Sequence, residues 1–150
     1  MRSYLFKSTK EDVIKNGNAK GIKKLYDGLE SNGIDPTTLT ILEAIISGED
    51  YYNIHERGGY EIIKKVDEND EHSPLFVSSS ENLIDCLKSL SPEQRSEILE
   101  DWCASDEMTL YGWTPEKAGH IFDWLISTSH KKNEPNEKII LFIETNPVPI

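Results

Sequence analysis

Hydrophobic residues in this chain follow two patterns, continuous runs near the ends and helix-spaced positions between them. Ser3-Tyr4-Leu5-Phe6 is short and aromatic, and Ile139-Ile140-Leu141-Phe142-Ile143 is an unbroken run of β-favouring residues ahead of Asn146-Pro147 and Pro149. A run with no polar alternation predicts a strand covered on both faces. The simplest closure sets the last strand beside the first.

Between the ends, the helix starts are clearly marked. Asp35-Pro36, Ser91-Pro92 and Thr114-Pro115 each put an N-cap residue before a proline at the first helical position, where the missing N–H costs nothing and the fixed φ suits the helix. Gln94, three residues after Ser91, completes a capping box. Apolar residues at helical spacing follow each start: Leu39, Leu42, Ile45 and Ile46; Ile98, Leu99, Trp102 and Cys103; Ala118, Ile121, Phe122, Leu125 and Ile126. Gly33 and Gly48 are suitable stops. The same spacing predicts helices over about 19–31 (Ile22, Leu25, Tyr26, Leu29) and about 80–90 (Leu83, Ile84, Leu87, Leu90).

Residues 49–79 are less regular. Glu49–Arg57 reads as a short helix before Gly58-Gly59, Tyr60–Val66 fits a helix or a strand, Asp67–Ser73 is a solvated acidic loop, and Pro74–Val77 resembles a short strand. Lys131–Lys138 is a polar linker into the last strand. The predicted fold is one α+β domain over residues 1–150, mainly helical with five or six helices and a small sheet pairing the N- and C-terminal strands.

Composition adds little to this. At 150 residues and 37% hydrophobic, with three Trp, six Tyr and four Phe, the chain is long enough and apolar enough for one core. No stretch approaches the ~20 apolar residues of a membrane helix, and the first ten residues hold no apolar run of signal-peptide length. Cys86 and Cys103 lie inside apolar-periodic stretches and read as buried thiols, with no CxxC or Cys/His cluster to hold zinc. The expected compartment is the cytoplasm of a bacterium.

Charge changes the picture more. Residues 1–26 carry seven Lys/Arg against two acids, residues 27–130 carry 22 acids against six bases, and residues 131–150 carry three of each, for a net charge of −11. A long acidic middle with no basic stripe repels phosphate backbones and anionic membrane surfaces, and favours basic partners. Nucleic-acid and membrane binding are excluded on this ground.

Several constellations carry possible chemistry. Tyr51, Tyr52, His55, Glu56 and Arg57 form a dense polar-aromatic group before two glycines; Tyr and Arg anchor recognition surfaces, although a short amphipathic helix with its rings on the core has the same pattern. Asp106 and Glu107 fall near a predicted helix C-terminus, where the macrodipole disfavours negative charge, which hints at a use for them. Trp113, just before the Thr114 cap, is placed as a hydrophobic staple, and Trp102 lies on the apolar stripe of its helix. His120 shares a helix face with Asp123 and Trp124, half of a base-and-orienter arrangement that an ordinary surface pair reproduces equally well. Glu97, Glu100 and Asp101, with Asp85 and Glu93, form an acidic strip. Asp67–Glu71 lacks the glycine of a calcium loop, and no P-loop, Rossmann fingerprint, HExxH or GxSxG occurs. No catalytic residue, metal ligand or cofactor is assigned.

Leu42-Glu43-Ala44-Ile45-Ile46-Ser47-Gly48 resembles the L-H-x-L-L-T-G segment of small bacterial proteins of the YfbM-like type. Leu83-Ile84-Asp85-Cys86-Leu87 and Leu90, then Trp102, Asp106-Glu107 and Trp113 before a long helix and a final apolar strand, follow in a similar layout over residues 39–143. The resemblance implies an α+β fold with helices packed on a small sheet of the chain ends, and no activity. The family's His is Glu43 here, and its Trp-His before the helix is missing, so a ligand site built on that His does not carry over.

The sequence therefore predicts a non-enzymatic, acidic interaction protein that binds a basic protein, as inhibitors or immunity proteins do, through Tyr51, Tyr52, His55, Glu56, Arg57, Asp106, Glu107 and Trp113. The alternative is a small-molecule binder or small hydrolase with a pocket near His55, or near His120 with Asp123. A homo-oligomer docking through Pro147-Val148-Pro149-Ile150 is a third expectation.

Overall fold

The computed structural model describes residues 2–18, 20–131 and 133–144. In chain order the elements are β1 (Arg2–Thr9), α1 (Lys10–Asn16), α2 (Ile22–Leu25), β2 (Gly28–Glu30), α3 (Pro36–Ser47), α4 (Tyr51–Glu56), β3 (Tyr60–Lys65), β4 (Leu75–Ser79), α5 (Leu83–Lys88), α6 (Arg95–Ala104), α7 (Asp106–Leu110), α8 (Pro115–His130) and β5 (Glu137–Glu144), with a 3₁₀ turn over Pro92–Gln94 leading into α6.

The class is α+β, but eight helices form among the described residues where five or six were expected, and the sheet corrects the small terminal pair expected from the sequence. It has five antiparallel strands in the order β2-β1-β5-β4-β3. The terminal strands pair along their length, Arg2 opposite Glu144 to Thr9 opposite Glu137, but β5 also pairs with β4, and β2 and β3 form the edges. The expected helix over 19–31 is likewise replaced. Only the four-residue α2 forms, and the chain returns as β2 against β1. The reason lies at Gly28, where a Cβ would stand 2.0 Å from the Leu5 carbonyl oxygen, so the strands can approach there only without a side chain. Helix α1 was not anticipated. It starts on the Thr9 cap, whose hydroxyl accepts from the Asp12 amide at 3.1 Å, and it buries only Val13.

Both faces of the sheet are covered, which explains the unbroken run in β5. Leu5, Val77, Ile139, Leu141 and Ile143 point into the larger core with residues of α3, α5, α6, α7 and α8. Tyr4, Phe6, Phe76, Ile140 and Phe142 point the other way, under Val13 of α1 and Ile22 of α2. Trp102 is fully buried in the larger core, and its indole N–H donates to the Thr38 carbonyl at 2.9 Å, tying α6 to α3. The three Pro-marked starts behave as their caps dictate. Asp35 accepts from the Thr38 amide at 2.7 Å, the Ser91 amide donates to Gln94 Oε1 at 3.0 Å, and Thr114 accepts from the Lys117 amide at 3.3 Å. No helix among the described residues is long and apolar enough to cross a membrane. The 147–150 tail lies outside the described residues.

Candidate functional site

The polar-aromatic group of the sequence sits at the corner where α4 turns into β3. Asp50 caps α4 by accepting from the Tyr52 amide at 2.8 Å, and the fully buried Ile54 pins the helix to the core. Gly58, at φ 86, reverses the chain into β3. With Ile54 inward, Tyr52 and His55, three apart, share the exposed side of the helix, and Tyr51 beside them is half-buried.

Their rings form a ladder. Tyr52 meets Tyr51 edge-on at 5.4 Å, Tyr51 stacks on His55 at 5.9 Å with 11° between planes, and His55 leans on Tyr60 of β3 at 6.1 Å. These separations suit attractive ring pairs, so the ladder is an ordered surface. Tyr52 is 71% exposed, and Ile62 of β3, on the same sheet face as Tyr60, is also exposed. Exposed acids Glu49, Asp50 and Glu56 border it.

Arg57 is not presented outward with the rings. Its Nη1 donates to Glu49 Oε2 at 2.5 Å, and its Nη2 reaches Glu43 Oε2 at only 3.5 Å. Glu43, on the buried face of α3, is 1% exposed, and its Oε1 accepts no hydrogen bond among the described residues. Burial pushes the Glu43 carboxyl above its ordinary pKa. The Ser80 side chain and the Arg57 guanidinium offset part of the rise. Cys86, half-buried nearby, has its thiol pushed up by burial first and by the negative charge of Glu43 second. Glu43 was not among the site residues expected from the sequence. Its signal was present, since it stands on the apolar stripe of α3, four residues after Leu39 and three before Ile46.

A groove of about 340 Å³ runs beside Arg57, Gly58, Gly59, Tyr60 and Ser80. It shares Glu81, Asn82 and Lys138 with a wider polar groove of about 600 Å³ at the same end of the sheet. That wider groove mixes Lys10, Lys88 and Lys138 with five acids, so it favours neither sign of ligand.

The structure separates the remaining candidates from this corner. Asp106 and Glu107 are the first residues of α7, which Ser105 caps, so they lie at a helix N-terminus. The macrodipole favours them there, and the argument from an unfavourable position falls away. Trp113 is half-buried against the core and donates to the Gly33 carbonyl at 3.2 Å, which makes it a clasp between two loops. Asp123 is held by Arg95 through bonds of 2.6 and 2.8 Å and is committed away from His120, which is exposed. Glu93, Glu97, Glu100, Asp101 and Asp106 are exposed and form no ion pair among the described residues. No group of three or more His, Cys, Asp or Glu is placed to hold a metal ion among the described residues.

No family model, curated protein or solved structure matches the chain.

Proposed function

We propose that this protein is a non-enzymatic binding module that receives a basic segment of a partner protein at the α4–β3 corner, in the manner of an inhibitor or immunity-type protein. The observation that carries the reading is the ring ladder Tyr52–Tyr51–His55–Tyr60, with Tyr52 71% exposed, bordered by Glu49, Asp50 and Glu56. Aromatic rings deliver large contact area at small entropic cost and attract guanidinium and ammonium groups to their faces. The acids raise the encounter rate with a cationic segment and oppose anionic ones. The unpaired acids of α6 and α7 extend the same field across the helical layer. A second copy carrying the same net charge of −11 is a poorer occupant than a cationic partner. The setting we propose is the cytoplasm, where the free thiols of Cys86 and Cys103 stay reduced.

The test is a titration of the isotope-labelled protein with a short Arg/Lys-rich peptide, followed by backbone amide shifts. Shifts gathered on residues 50–62 that fade as salt rises are the expected result. Shifts scattered over every acidic surface, or none, would count against the corner.

A further inference from the structure

We propose that Glu43 and Glu49 form a receiving pocket for one guanidinium group of the partner, and that Arg57 occupies this pocket as a stand-in in the unbound protein. The inference rests on the reading of the α4–β3 corner above and names the group that enters it.

Glu43 has an unmet demand. A buried carboxylate is costly unless its lone pairs are used, and Glu43 is 1% exposed with Oε1 unpartnered. Its other oxygen faces Arg57 at 3.5 Å, well beyond the roughly 2.7–2.9 Å of a good charge-assisted bond. Arg57 spends its short contact on Glu49 at 2.5 Å. One guanidinium is thus stretched across two carboxylates and serves only one of them properly.

A guanidinium arriving from outside has no such tether. Its planar fork can present two parallel N–H groups to a carboxylate, a geometry that a lysine ammonium cannot reproduce. Arg57 follows directly on α4, and its side chain is 43% exposed, so solvent lies on its outer side for it to swing into. Arg57 also lines the groove of about 340 Å³ with Gly58, Gly59, Tyr60 and Ser80, so its outer side is open to an arriving group. Arg57 therefore competes with the partner's arginine for the same acids, and removing it should help binding. That expectation is opposite in sign to the one for an Arg57 that contacts the partner directly.

The test compares wild type, Arg57→Ala and Glu43→Gln at pH 8 by calorimetric titration with three probes: an arginine-rich peptide, the same peptide with every arginine replaced by lysine, and N-acetyl-arginine amide. Arg57→Ala should bind the arginine peptide roughly fivefold tighter, since one exposed internal ion pair no longer competes. Glu43→Gln should bind it about tenfold more weakly, and both changes should move the lysine peptide far less. Should Glu43→Gln fold poorly, Glu49→Gln on the exposed side carries the same expectation. Arg57→Ala binding as wild type or more weakly overturns the inference, and if Tyr52→Ala still removes binding, the ladder reading survives it. No binding of either peptide by wild type overturns both. N-acetyl-arginine amide binding as tightly as the peptide overturns a protein as the source of the guanidinium.

Discussion

Glu43→Gln should stabilise the unbound protein at neutral and alkaline pH and change little in acid. Burial raises the Glu43 pKa in the folded state, so the folded protein holds this proton more tightly than the unfolded chain does. Below the usual carboxylate range Glu43 is protonated in both states, and its contribution is fully present. As pH rises through the raised folded value, the folded state must either accept a poorly solvated charge or open, and stability falls. Glutamine keeps the shape and removes the titration. Replacing a buried ion pair by well-packed apolar groups is often neutral or stabilising by about 1–4 kcal/mol. Because Gln brings a polar amide of its own, we expect the lower end, about 1 kcal/mol, or roughly 2–4 °C in midpoint for a chain of this size. Urea unfolding of both proteins from acid to alkaline pH checks this, with the two curves meeting at low pH and separating as pH rises. Wild type more stable than Glu43→Gln at pH 8 would refute the reasoning, because the ionised pair with Arg57 would then be a net support.

Other consequences follow from the same contacts. Trp102→Phe removes the 2.9 Å bond to Thr38 and leaves a small void in the core, so it should cost about 2 kcal/mol in denaturant unfolding; a loss under about 0.5 kcal/mol would contradict the packing described. Asp35→Ala loses both the helix cap at Thr38 and the 3.1 Å bond from the Tyr111 hydroxyl, and should cost about 1–2 kcal/mol. In thiol labelling of the native protein, the buried Cys103 should be inert and Cys86 slow, with Cys86 faster in Glu43→Gln because the nearby negative charge is gone; prompt labelling of both would be inconsistent.

The parts legible in the sequence are those governed by local chemistry. Asp35, Ser91 and Thr114 marked their starts because cap and proline act within one turn. The β5 run announced its burial on both faces because no polar residue interrupts it. Strand β2 was hidden because Ile22, Leu25, Tyr26 and Leu29 have helical spacing, while the contact that overrides it, Gly28 against Leu5, lies far away in the chain. Strands β3 and β4 escaped assembly into the sheet for a similar reason, since they pair with each other and join the sheet only through β5, which follows β4 by more than 55 residues. At the site, Tyr51, Tyr52 and His55 were visible as a local group, and their ladder completes itself with Tyr60 only after the Gly58 turn. Asp106 and Glu107 were misread because Ser105 both ends α6 and caps α7. Arg57 reads as an anchor in the sequence because its commitment to Glu49, eight residues earlier, appears only in three dimensions.

If the exposed rings of α4 receive a cationic segment, removing one of them must weaken binding. Tyr52, 71% exposed, can be changed to alanine with little effect on the fold, so its loss isolates the surface. We expect wild type to bind an arginine-rich peptide with an affinity that falls as salt rises, and Tyr52→Ala to bind it roughly tenfold or more weakly. Equal binding by the two proteins, or an affinity indifferent to salt, would contradict the account.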